Sequence, residues 1–303
     1  MSHAAGDLGG FGRSTAAGRP GALTRLRHAW ATRTIARTPV SVAAWALLGL
    51  FALVTLLGPA LVSADPLRQT SAVLLPLGSD GHLLGTDDLG RDQLSRLVHG
   101  ARPLIFVSLA ATAVACAAGL AIGLAAGFYG RWVEQGLMRF MDLVLAFPSI
   151  LLIILVVAAL GTGAGQLVIG IGIAMAPSFA RLVRAVCARE TARDYVLAAK
   201  ASGTPAPRIM LVEILPNLVG PLLVQALTIL SISAGFAAGL SYIGLGIQPP
   251  DADWGYMVKA GQEFMFIEPW LVVLPGALTM LFVIACNFVG DDLRDAFDPR
   301  RGA

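Results

Sequence analysis

Charge is what this 303-residue chain has least of: Asp, Glu, Lys and Arg make up 14% of it, against about a quarter in ordinary soluble domains. With 56% hydrophobic residues and a mean hydropathy of +0.74, a water-soluble globular architecture is excluded for most of its length. Lysine is nearly missing. The two present, Lys200 and Lys259, follow Ala199 and Val258, so there is no Gly-Lys pair to build a Walker A loop around nucleotide phosphates. Any ATP hydrolysis therefore belongs to a separate chain. Gly-x-Ser-x-Gly and His-Glu-x-x-His are both absent, which argues against an intramembrane enzyme. Cys116, Cys187 and Cys286 lie in or beside apolar runs without metal-like spacing and read as small packing residues. The histidines (His3, His28, His82, His99) are scattered and form no ligand pair, so neither a metal site nor a resident cofactor is expected.

What the chain has in abundance is long apolar runs, the mark of membrane helices. Spans are expected at about 40–62, 103–128, 142–160, 167–187, 218–247 and 270–289. The first run is too long for the apolar core of a secretory signal and reads as a retained span. Pro148 is a candidate kink in the third. The fourth is the weakest, because Pro177 interrupts it and Arg181 and Arg184 must snorkel at its end. Gly119, Gly123 and Gly127 form a small-xxx-small ladder for close helix approach, within the subunit's own bundle or at a subunit interface. Residues 1–39 form an extension rich in Gly, Ala, Ser and Arg. Within it, 22–37 is either an interfacial amphipathic helix or a basic flank. Residues 40–290 form the six-span domain, and 291–303 a charged tail. The fold class is all-α membrane protein.

Basic residues set the orientation. With the N-terminus inside, the inner segments carry seventeen Lys and Arg and the outer segments five. Both termini and the loop between spans four and five then face the cytoplasm. The spans themselves carry almost no charge; Gln225 and Asn287 are the notable polar groups within them. Carriers driven by protons or sodium keep ionisable residues at mid-membrane. Their absence favours a pathway energised mechanically from outside the bilayer.

Arg189 to Pro216 is a long polar interruption with a legible plan. Helix-forming residues run from Tyr195 to Ser202, Gly203 offers a break where positive φ costs little, and prolines at 205 and 207 suit the first turn of a second helix. Two short helices around a glycine make a knob that another protein can grip. The run Ala198-Ala199, Gly203 and Leu215-Pro216-Asn217 resembles the EAA loop of permease subunits of bacterial ABC importers. Leu197 stands where that pattern has glutamate, and Glu213 where it is often apolar.

A second resemblance lies in the outer segment. His82, Leu84, Gly85, Thr86, Asp87, Gly90, Arg91 and Asp92 match the His-x-Leu-Gly-Thr-Asp-x-x-Gly-Arg-Asp stretch of dipeptide and oligopeptide permeases, with Leu83 in place of the usual proline. Pro250 to Gly255 resembles the Pro-x-x-x-Trp-Gly turn of the same family. A structured loop on the outer face is favoured for the first segment over direct substrate contact, and its acids fit no cation loop. The resemblance implies a six-span, non-catalytic subunit of an importer for di- or oligopeptides in the bacterial inner membrane. It would pair with a second permease chain, two cytoplasmic ATPase domains that bind ATP and Mg, and an extracytoplasmic solute-binding protein. Arg193, Asp194, Tyr195, Ala198, Ala199, Lys200, Gly203, Leu215 and Pro216 would couple it to the ATPases. An importer of nickel, glutathione or haem shares these motifs. A stand-alone six-span channel or carrier is the alternative from another class.

Overall fold

The computed structural model describes residues 38–62 and 64–297, almost all helix, with no strand among them beyond two isolated bridges. The basic segment at 22–37 and the end of the tail lie outside the described residues. Five helices are long and apolar enough to cross a bilayer: α1 (Pro39–Leu61), α2 (Gln93–Tyr129), α5 (Ala164–Thr191), α7 (Ala206–Tyr242) and α9 (Trp270–Phe297). Between them lie α3 (Arg131–Leu145), α4 (Ser149–Leu160), α6 (Asp194–Ala201) and α8 (Trp254–Gly261).

The third span is not one kinked helix. Pro148 breaks it outright, and α3 and α4 meet at 85°. Proline disfavours helical backbone in the residue before it, and Pro148 itself is extended (ψ 126°). At 1.5 Å per residue α4 is about 18 Å long, short of a hydrocarbon core of about 30 Å. The bent pair is thus a sixth crossing only when both arms are counted together. Arg131 to Met141, expected as a loop, is most of α3. Two ion pairs fasten that helix to α5, Asp142–Arg181 at 2.6 Å and Glu134–Arg184 at 3.3 Å. Both arginines are therefore partnered rather than snorkelling alone.

The helix with the weakest apolar signal is the central one. In α5, 61% of the most apolar window is buried, against 17% in α1. A helix surrounded by protein needs close approach more than it needs lipophilic side chains. The Gly119, Gly123 and Gly127 ladder of α2 lies against α5 inside this chain. A methyl at Gly119 would sit 2.9 Å from the Ala176 carbonyl, one at Gly123 2.6 Å from that of Ala180, and one at Gly127 2.8 Å from that of Arg184. Prolines 103, 177, 221 and 275 all lie inside continuous helices, as neighbouring helices in a bundle permit. α1 packs at the periphery through Phe51, which meets Phe282 edge-on at 5.4 Å and Trp254 at 5.9 Å.

Four helix boundaries differ from the sequence reading. Span two, expected from 103, is the continuation of the single helix α2, which begins at Gln93 and runs through Pro103. The second arm of the knob is not separate from the span expected at 218–247. A π-helical turn, Ile209–Ile214, carries it into α7, and the wider turn spaces the Pro216 ring from the preceding carbonyls. α7 ends at Tyr242, not 247, since Gly244 adopts φ +88°. α9 continues to Phe297 through residues expected as tail. There Asp292 accepts hydrogen bonds from Ser41 Oγ (2.5 Å) and Trp45 Nε1 (3.1 Å), clamping α9 to the start of α1.

Candidate functional site

The knob is α6, the glycine turn and the first turns of α7. Val196 is buried under α6, while Leu197 is 52% exposed. The helix ends where the Gly203 N–H bonds to the Lys200 carbonyl (3.1 Å) and the Thr204 N–H to that of Ala199 (3.1 Å). Gly203 sits at φ +76° with open space where a side chain would go, so only the backbone demands glycine there. Ser202 Oγ adds hydrogen bonds to the Ala198 and Ala199 carbonyls, both 3.0 Å.

What holds the knob to the bundle was not evident from the motif. Tyr195 donates its hydroxyl proton to Glu190 at the end of α5 (3.0 Å), and the Asn217 amide of α7 donates to that hydroxyl (3.4 Å). Glu190 also pairs with Arg193 at 2.8 Å. Partial burial and the Glu190 carboxylate push the Tyr195 hydroxyl up to about 12, so it stays a donor at physiological pH. The Lys200 ammonium lies 4.6 Å from the centre of the Phe128 ring at the end of α2, a cation–π contact. α6 is therefore tied to α2, α5 and α7 together. Glu190 is the acid engaged here, seven residues before the position where Leu197 replaces one. Asp194 lies in the first turn of α6, where an acid favours the helix dipole. Leu215 packs against the core, whereas Pro216 is exposed. The knob also presents Leu211 and Val212, each more than half exposed.

The segment from 64 to 92 builds a separate cap at the end of the bundle away from the knob. Gly85 (φ +74°) and Gly90 (φ +68°) turn the chain so tightly that a side chain at either would run into the carbonyl of Leu75 or Thr70. Thr86 Oγ1 donates to the Ala72 carbonyl (2.6 Å) and accepts from the Leu75 N–H (2.9 Å). Asp87 receives Arg91 Nε at 2.7 Å and Arg96 Nε at 3.4 Å, with all three residues buried. Asp92 caps α2 through the Ser95 N–H (2.8 Å) and holds His82 Nδ1 at 2.8 Å. Burial and then the neighbouring Asp87 push the Asp88 carboxyl up. Trp254, 1% exposed, donates to the Leu97 carbonyl (2.8 Å), so the second outer turn locks onto α2. These side chains are occupied with one another, as a structural cap requires. Of the polar residues read within the spans, Gln225 lines a cleft, and Asn287 is exposed on α9, donating to Ser231 Oγ at 2.8 Å.

A mostly apolar bundle with a polar knob between two spanning helices defines a multi-pass membrane protein. Residues 119–302 match the family of binding-protein-dependent transport system inner membrane components, and the chain belongs to that family. It is 42% identical over 251 residues to the di/tripeptide transport system permease protein DppC of Pseudomonas aeruginosa, covering 81% of this chain and 83% of that one. It is 38% identical over 255 residues to the dipeptide transport system permease protein DppC of Haemophilus influenzae, covering 82% and 86%. A solved structure of the MetNI methionine ABC transporter in an inward-facing conformation shares the fold. Its TM-score is 0.53 at 18% identity, covering 67% of this chain and 96% of that one.

Proposed function

We infer that this chain is a permease subunit of an ATP-driven, binding-protein-dependent importer that carries di- and oligopeptides into the bacterial cell. The observation that carries this reading is the knob: α6, the left-handed Gly203 and a second arm that enters α7 without a break. The relatives' names supply the cargo. The subunit itself is non-catalytic; ATP and Mg bind to partner ATPase domains on the cytoplasmic side, where both termini also lie. A second permease chain completes the pathway, and an extracytoplasmic solute-binding protein delivers the peptide.

In this reading Arg193 to Ser202 is the coupling helix. Closure of the ATPases around ATP displaces α6, and its ties to Glu190 and Asn217 pass the movement to α5 and α7. α7 is 37 residues long, a lever of about 55 Å running from the knob to the outer face. α2 moves with α5 because the glycine ladder interlocks them. Ala198 and Ala199 let the partner seat closely, and Leu215-Pro216 anchors the loop to the lever.

The test is reconstitution of the chain with its cognate permease partner, ATPases and binding protein in proteoliposomes. Labelled dipeptide should accumulate only with ATP and binding protein present. Uptake by this subunit alone would overturn the reading, and ATP-driven uptake of nickel, glutathione or haem but not dipeptide would reassign the cargo.

A further inference from the structure

Toward the knob end of the bundle an open cleft of about 570 Å³ lies between α5, α7 and α9, within the size range of ligand sites. Leu182, Val224 and Phe297 give it apolar walls, Gln225 and Thr228 line it from α7, and Arg294 stands at its rim. The Gln225 amide has no hydrogen-bond partner among the described residues, and Arg294 has no counter-ion there. An amide left unpaired in hydrocarbon costs several kcal/mol, so wherever the apolar core of the bilayer reaches this face, lipid alone does not suit it.

The exposed face of α7 continues from the cleft toward the outer end. Thr228, Ile232, Gly235, Gly239 and Tyr242 follow at alternating steps of four and three, all exposed. Nothing lies within 4 Å of where a side chain at Gly235 or Gly239 would be. The contrast with α1 is chemical: its exposed face is Leu50, Leu53, Leu56, Leu57 and Leu61, the composition lipid demands.

We propose that the α5–α7–α9 cleft and the α7 face leading to it are this chain's wall of the peptide route, with Gln225 hydrogen-bonding the peptide backbone and Arg294 receiving its carboxylate at the inner mouth. The complementarity is direct. A peptide offers amides, a terminal carboxylate, a terminal ammonium and varied side chains; among the described residues the cleft offers an amide and a cation that have no partner there, between apolar walls. The proposal rests on the peptide-importer reading above.

The test uses the complete transporter in inside-out vesicles. Cys116, Cys187 and Cys286 are replaced by alanine, and single cysteines are introduced as Gln225→Cys, Thr228→Cys and, on the lipid-like face of α1, Leu53→Cys. A membrane-impermeant methanethiosulfonate should modify the first two at least ten-fold faster than the third. Dipeptide with binding protein should slow those reactions several-fold, and Arg294→Gln should weaken that protection. Rates as low as at Leu53→Cys would assign the face to lipid. Reaction in the lone subunit but not in the complex would assign it to the partner chain, and fast reaction without protection to a water-filled space that peptide does not visit. Each of these overturns the proposal, and undiminished protection in Arg294→Gln overturns the role of that residue. Where the cysteine-free background fails to assemble, Gln225→Leu in the native chain should lower dipeptide uptake ten-fold, with Gln225→Asn restoring most of it. Unchanged uptake in Gln225→Leu would overturn the role of Gln225. Failure of the unmodified complex to transport dipeptide would instead sink the cargo reading, whatever the labelling shows.

Discussion

Gly123→Ala adds a single methyl, and the structure specifies what it meets. The new carbon would lie 2.5 Å from Val183 Cβ and 2.6 Å from the Ala180 carbonyl oxygen. Ordinary contact begins near 3.4 Å, so α2 and α5 must part by most of an ångström along their tightest seam. Overpacking of this kind costs about 1–3 kcal/mol, and two backbone-adjacent clashes place it at the upper end. Alanine restores about 1 kcal/mol through its better helix propensity. The net loss is therefore about 2 kcal/mol, a fall in thermal midpoint of roughly 3 °C for a chain of this size. Gly49→Ala in α1, with nothing within 4 Å of the new methyl, carries the propensity gain without the clash and should not lower the midpoint. Thermal unfolding of the purified complex in detergent, followed by size-exclusion of the surviving fraction, measures both. Equal midpoints for the two variants would refute the claim that the ladder packs against α5 within one chain.

Three further outcomes follow from the same geometry. Asp87→Asn strips the buried Arg91 and Arg96 of their shared anion; removing one partner of a buried pair costs about 3–5 kcal/mol, so the outer segment should become sensitive to protease added outside, and unchanged resistance would contradict the cap. Asp253 is buried and its carboxyl is pushed up by desolvation, so the folded state holds that proton more tightly than the unfolded one. Its contribution favours folding at low pH and is lost as pH rises from the usual 3.8 through the raised folded value. Asp253→Asn should thus gain thermal midpoint relative to the unmodified chain at pH 7, with the gain shrinking toward pH 4; a pH-independent difference would count against it. Gly203→Val forces a branched side chain into φ +76° at a cost of about 1–3 kcal/mol, and should abolish peptide-stimulated ATP hydrolysis while the subunits still co-purify; full stimulation would remove the glycine turn from the coupling path.

The limits of the sequence reading have physical causes. Apolar runs report exposure to lipid, so α1 stood out in the sequence and α5, though expected at 167–187, was the faintest of the spans: Gly170, Gly172, Ala174 and Ala176 are small because other helices press on them. A proline alone does not say whether a helix ends. Pro148 breaks a span whereas Pro177 and Pro221 sit inside intact helices, and the difference lies in what packs alongside. Gly203 and the glycines of the outer cap were legible because left-handed backbone selects for the residue itself. The Tyr195 contacts were not, since they join positions as far apart as Glu190 and Asn217 across three helices. Charge asymmetry among loops bore on sidedness yet was silent on the two ion pairs that fasten α3 to α5.

Lys200 and Lys259 are the chain's only lysines; both are exposed, one on the knob and the other on α8 at the opposite end. A membrane-impermeant amine reagent applied to sealed vesicles of each orientation, followed by peptide mass spectrometry, reads their sidedness and whether added ATPases cover them. The account predicts that Lys200 reacts only from the cytoplasmic side and is shielded when the ATPases bind, while Lys259 reacts only from outside and is indifferent to them. Modification of Lys200 from the outer side, or at the same rate with the ATPases docked, would contradict it.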